Sequence, residues 1–194
     1  MAVVSIKNKL RRGNLLVGND PYIPTDFESI ATTTLSTNTA SVTFSSIPAT
    51  YTHLQIRATA RVVGTGTPSI DNLFVQCNGD TASNYSAHIL LGSGTSAISD
   101  VNNGDVFGFF IIQSGGTGTQ PFGSCVLDIL DYKDTNKYKT IRGLAGIDGN
   151  GYGRIQIGSG SWRNTNAITS LRLYSNTDLT QYSHFALYGI KVAS

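Results

Sequence analysis

The ten residues His53-Leu54-Gln55-Ile56-Arg57-Ala58-Thr59-Ala60-Arg61-Val62 decide the fold class. Leu54, Ile56, Ala58, Ala60 and Val62 occupy every second position, and His53, Gln55, Arg57, Thr59 and Arg61 fill the gaps. Successive side chains of a strand point to opposite faces, so this pattern predicts a long β-strand with one buried and one wet face. Read outward from it, the chain predicts further strands near Ser29–Leu35, Ala40–Phe44, Asn72–Cys77, Tyr85–Leu91, Val106–Gln113 and Phe122–Asp131. Four more follow near Lys137–Gly146, Gly153–Ile157, Ile168–Tyr174 and Ser183–Ile190. No stretch carries apolar residues at helical spacing.

Turn-forming residues separate these strands: Gly64 to Pro68, Asn78-Gly79-Asp80, Gly92-Ser93-Gly94, Asn102-Asn103-Gly104, Gly115 to Gly118 and Asp148-Gly149-Asn150-Gly151. Many short strands with frequent turns indicate an all-β sandwich. Parallel pairing needs crossovers of about a dozen residues, usually helical, and none is visible, so the sheets are expected to be antiparallel. There is no internal repeat at a fixed period, which argues against a propeller or solenoid.

With 194 residues the chain fits one domain plus a terminal extension. It is 40% hydrophobic but only 13% charged, against roughly 25% charge in an average soluble domain. The apolar share supports a sizeable core, and Ser, Thr, Asn and Gly take over the surface. The formal net charge of +2 provides no field of the kind that condenses on nucleic acid. No apolar run is long enough for a membrane helix, and Lys7 and Lys9 fall where a signal peptide would be apolar. A soluble protein made in a cytoplasm is expected, with Cys77 and Cys125 as buried thiols.

Residues 1–28 read as an extended arm. Lys7, Lys9, Arg11 and Arg12 cluster there, and Gly13-Asn14, Gly18 to Pro21 and Ile23-Pro24 break any regular element. Without interleaved aromatic residues the basic run suits an acidic protein surface better than nucleic acid.

Residues 29–194 offer little for catalysis. His53, His88 and His184 each lie in a predicted strand and share no metal-ligand spacing with the cysteines. No Gly-x-Ser-x-Gly turn is present. Asp128, Asp131, Asp134 and Asn136 read as strand end and hairpin loop, and Asp148 to Tyr152 as a turn lacking the glutamate that completes a calcium loop. No catalytic residue, metal or cofactor is expected. A sugar-binding surface is the strongest alternative, with Tyr132, Tyr152 and Trp162 as ring platforms on loops.

Four phrases carry a family likeness: Phe44 to Arg57, Cys77-Asn78-Gly79-Asp80 to Asn84-Tyr85-Ser86-Ala87-His88, Asn166 to Arg172, and Gln181 to Ile190. Over about residues 30–190 the chain resembles tailed-bacteriophage virion structural proteins. The resemblance implies a jelly-roll on the particle exterior, often a homotrimer, acting as head decoration protein or tail-fibre component. The leading expectation is a non-enzymatic capsid decoration or cement protein bound to the major capsid protein or other virion proteins. Lys7, Lys9, Arg11 and Arg12 would then pair with acidic capsid residues, while Leu15, Leu16, Val17, Tyr22, Ile23 and Phe27 fill apolar grooves. The alternative is a tail-fibre or baseplate receptor-binding module that recognises host-surface glycan through Tyr132, Tyr152 and Trp162. A third reading, a carbohydrate-active enzyme, would need two of Asp128, Asp131, Asp134 and Asp148 in one groove. Neither a nucleic acid nor a membrane is expected as partner.

Overall fold

The computed structural model describes residues 26–64, 69–104, 107–114, 121–149 and 151–192. Twelve strands carry them: β1 (Phe27–Thr34), β2 (Thr39–Phe44), β3 (His53–Val62), β4 (Ser69–Cys77), β5 (Tyr85–Gly92) and β6 (Ala97–Gly104) in the first half. Then come β7 (Phe107–Ser114), β8 (Gly123–Leu130), β9 (Lys139–Asp148), β10 (Gly153–Trp162), β11 (Leu171–Leu179) and β12 (His184–Ile190). The described residues contain no helix, so the all-β expectation holds.

β3 spans the ten residues whose alternation defined it, and Leu54, Ile56, Ala58, Ala60 and Val62 are all buried. Each full burial of a Leu, Ile or Val side chain contributes about 1.5–3 kcal/mol. A one-residue slip would expose all five together, which fixes the register.

Eight strands form one sheet in the order β1-β12-β3-β8-β9-β10-β5-β6, and four form the other as β2-β11-β4-β7. Val42, Phe44, Leu73, Val75, Leu171 and Leu173 of the small sheet share one core with Leu54, Ile56, Leu127, Ile129, Phe185 and Leu187 of the large one. The sheets join where the end of β3 leaves the large sheet, Val62 pairing with Leu179 of β11. There β3 also meets β7 in parallel at Arg61↔Gln113 and Val62↔Ser114. This corrects the all-antiparallel expectation at one point: the tip of a long twisted strand reaches a strand of the other sheet without any crossover between neighbours. Every other pairing of the described strands is antiparallel.

The chain alternates between the sheets except at β5–β6 and along β8–β9–β10, and the hairpins β5–β6 and β9–β10 widen the large sheet. Numbered in chain order without those hairpins, the remaining strands lie 1-8-3-6 in one sheet and 2-7-4-5 in the other. After β4 the chain crosses sheets through a tight turn in which Asn78 and Gly79 have φ of 52° and 68° and Asp80 N donates to Cys77 O at 2.9 Å. Two positive φ values in succession explain Asn-Gly here.

Three elements differ from the sequence-based reading. β6 is a strand not predicted, because Ile98 and Val101 sit three apart, on opposite faces, so no period of two is visible; its ladder is with β5 alone. β10 runs to Trp162, through the glycine- and serine-rich stretch expected to be loop, because that stretch pairs with β5 on one side and β9 on the other. β11 begins at Leu171 and not at Ile168: the Asn78 side chain takes the backbone N–H groups of Thr169 and Ser170. β1 begins at Phe27, two residues before the expected start at Ser29, because it pairs with β12 from there.

Candidate protein-docking face

Of the arm residues expected to bind a partner, Lys7, Lys9, Arg11, Arg12, Leu15, Leu16, Val17, Tyr22 and Ile23 lie outside the described residues. Phe27, expected with them, is part of β1. Its ring stacks on Tyr188 with centroids 4.8 Å apart, and the Arg57 guanidinium lies 5.4 Å and 5.6 Å from the two ring centres. Phe27, expected in the extended arm, is instead tied into the sheet by the β1–β12 ladder.

The ring platform proposed for glycan does not form. Trp162 is only 1% exposed; it stacks on Tyr85 at 6.5 Å and donates its indole N–H to Asp80 Oδ2 at 2.7 Å. Tyr132 is likewise 1% exposed, its hydroxyl bonded to the carbonyl of Pro48. Both rings are core, because Gln156, Gly158, Gly160 and Trp162 of β10 face inward and the loop at Tyr132 folds under the β2–β3 connection. Tyr152 alone stays half-exposed, its ring lying over Gly149 at the β9–β10 turn. It borders an open depression of about 400 Å³ with Asp148, Arg154 and Ser93.

The buried network around Trp162 is structural. Asp80 accepts from Trp162, Asn84 and the Ala82 N–H. Burial pulls its pKa up, but these donors and Asn164 outweigh it and hold the carboxyl below its usual value. Lys139, the cross-strand partner of Trp162, is fully buried and donates to the carbonyls of Lys137 at 3.1 Å, Thr165 at 3.0 Å and Asp134. Burial lowers its pKa, against the pull of Asp134. Cys77 and Cys125 are free and buried, with burial pushing the Cys77 thiol far up and Cys125 to about 12. Neither is a nucleophile at neutral pH.

Asp131 and Asp134 line one depression and share Lys137, whose Nζ lies 2.5 Å and 3.7 Å from their carboxylates. Asp128 pairs with Arg142 at 3.2 Å and accepts from Gln55. His53 Nδ1 accepts from the Asp131 N–H, His184 bonds Thr34, and His88 faces outward on β5. Among the described residues no three His, Cys, Asp or Glu groups converge as metal ligands.

What the structure does bring together is aliphatic. On the outer face of the large sheet the register aligns Arg57, Val126, Leu144, Ile157, Leu90 and Ser99 in one row across β3, β8, β9, β10, β5 and β6. The next row is Thr59, Ser124, Gly146, Ile155, Gly92 and Ala97. Leu90 is 58% exposed, Leu144 48%, and Ile155 and Ile157 60% each. A depression of about 250 Å³ opens over Gly146, walled by Val126, Leu144 and Ile155. Along its other side run Gln55, Asp128, Arg142, Ser159 and His88. An uncharged centre bordered by polar residues has the anatomy of a protein interface.

Sequence reading missed this stripe. In Ile155-Gln156-Ile157 an alternating strand is expected to bury the isoleucines, yet Gln156 is 2% exposed and both isoleucines face water. Trp162 has the same parity as Gln156 and fixes which side faces the core. That inversion was the available signal. Neither a protein-family model, nor a curated protein, nor a solved structure matches the chain.

Proposed function

We propose that the chain is a non-enzymatic structural protein of a virus particle, bound to the shell surface as a decoration or cement protein. The observation that carries the assembly part of this reading is the exposed aliphatic row Val126–Leu144–Ile157–Leu90. Leaving four such side chains in water on a regular sheet face is unfavourable, and a protein partner removes the cost. The strand order 1-8-3-6 facing 2-7-4-5 supports a jelly-roll of two interleaved Greek keys. The virion setting rests on the resemblance of the phrases around Asn78 to Tyr85 and Gln181 to Ile190. Burial of Tyr132 and Trp162 weighs against the glycan-binding alternative, which keeps only the β9–β10 tip at Tyr152.

Co-sedimentation tests it. The purified chain should travel with particles of the virus that encodes it, prepared without it, and the double variant Leu144→Lys, Ile157→Lys should stay in the supernatant with an unchanged unfolding midpoint. Wild-type chain remaining in the supernatant would overturn the reading.

A further inference from the structure

We propose that β6, the outermost strand of the large sheet, pairs edge to edge with β6 of a second copy of this chain, antiparallel about a two-fold axis at Ser99. The inference goes beyond the particle-bound reading and needs no shell. Among the described residues β6 pairs with β5 alone, along its whole length and without a register shift. Its other side is a row of backbone N–H and C=O groups, a template for one more strand. β1, at the opposite edge of the same sheet, is interrupted by a register shift between Ser29 and Ala31, one of the devices that blunt an edge. β6 has no such shift, no lysine, arginine or proline, and Asp100 as its one charge, and Ala97 to Val101 are all exposed.

The phase of the hydrogen bonds selects the register. Ser93 N–H donates to Ser96 O at 3.0 Å and closes the β5–β6 turn. Bonded and non-bonded pairs alternate along an antiparallel ladder. Leu91–Ile98 and Ile89–Asp100 are therefore bonded pairs, and Ala97, Ser99 and Val101, opposite Gly92, Leu90 and His88, turn their N–H and C=O groups to the free side. The Val101 N–H, turned that way, is held by Oδ1 of its own neighbour Asp100 at 2.7 Å.

A two-fold axis perpendicular to the sheet must pass through one of these outward-turned residues. At Ser99 it sets Ser99 opposite Ser99, Ala97 opposite Val101 and Ile98 opposite Asp100 of the other copy. Residues 97, 99 and 101 then each exchange both backbone bonds with the residue opposite, and the exposed Val101 side chain gains Ala97 as neighbour. The two Asp100 carboxylates fall on a diagonal, about 7–8 Å apart, where water and salt screen them. Ser99 also ends the row Val126–Leu144–Ile157–Leu90. An axis there joins the aliphatic rows of the two copies end to end. Because the pairing lies in the plane of the sheet, it leaves the outer face to the shell and offers it one row from two chains.

Oxidative cross-linking of the full chain tests the pair in solution. Cys77 and Cys125 are free and buried, so an introduced cysteine supplies the thiol. Cα atoms of a bonded pair stand about 5.5 Å apart, within the span of a disulfide, so Ser99→Cys should give a linked dimer on a non-reducing gel. Val101→Cys should not, because it is displaced from its counterpart by roughly 13 Å along the strand. Tyr138→Cys, on the β8–β9 loop and 56% exposed, should not link either. In the Ser99→Cys background, Val101→Pro removes an N–H that the β5 ladder does not use, and should abolish the link while leaving the unfolding midpoint unchanged. Ala97→Pro, at the first residue of the strand, should do the same. No link at Ser99→Cys, an equal link at Val101→Cys or Tyr138→Cys, or a link that survives both prolines would overturn the proposal. Co-sedimentation reads the shell and the gel reads the pair: a linked dimer that fails to sediment overturns the virion reading alone, and a chain that sediments without linking overturns the pair alone.

Discussion

Trp162 Nε1 donates to Asp80 Oδ2 at 2.7 Å, joining residues 82 apart in the sequence. The bond locks the last residue of β10 in the large sheet to the turn that brings the chain over from β4 in the small one. Asn84 donates to the same carboxylate oxygen at 2.8 Å. A ring at position 162 therefore serves the fold, and its loss should be read as a stability effect.

Trp162→Phe keeps most of the buried ring and removes the donor. A hydrogen bond to a charged acceptor contributes about 1.5–3 kcal/mol, so unfolding in urea should show a loss of that order. An unchanged midpoint would mean that Asn84 and Ala82 satisfy Asp80 without the indole.

The acid limb of stability should carry the mark of Asp80. Its folded pKa lies below the usual 3.8, so its contribution is complete above the unfolded pKa and disappears as the pH falls through the folded value. Denaturant melts between pH 7 and pH 2.5 should show wild type ahead of Asp80→Asn by a constant margin at pH 5–7 and by a shrinking one below about 4. A margin independent of pH would contradict the assignment.

Lys139→Met tests the buried ammonium. Its Nζ holds carbonyls of the 131–138 loop and of Thr165 together. Losing it orphans three acceptors while relieving a buried charge; the balance should destabilise by about 2–4 kcal/mol. Hydrogen exchange should quicken in residues 131–138 and 163–167 before the rest of the sheet. A variant as stable as wild type would show that burying the charge costs as much as its bonds return.

Gly189 is required for close approach and not for backbone freedom. A Cβ there would stand 2.3 Å from Tyr51 Cγ, and Tyr51 is itself held by its hydroxyl bond to Glu28. Gly189→Ala should destabilise by about 1–3 kcal/mol through overpacking, measurable as a lowered thermal midpoint.

Local chemistry was the legible part. The alternation in β3 and the Asn78-Gly79 turn follow from residues within a few positions of each other, and both formed as expected. β6 was hidden because an edge strand with two apolar residues of opposite parity has no face to display. The Trp162–Asp80 bond was hidden because nothing local to Gly158–Trp162 reveals a partner in the β4–β5 connection. The aliphatic stripe is assembled by register from four strands, and each strand alone shows only one or two unexceptional residues. Ile155-Gln156-Ile157 was the exception, and its polarity becomes informative only once Trp162 is known to be inside.

The central claim is that this chain sits on a virus shell and works by assembly. Antibody against the chain, carried on gold and imaged on intact particles by electron microscopy, tests it most directly. The account predicts gold distributed over the head surface. Gold confined to the tail tip, or particles without gold, would contradict it.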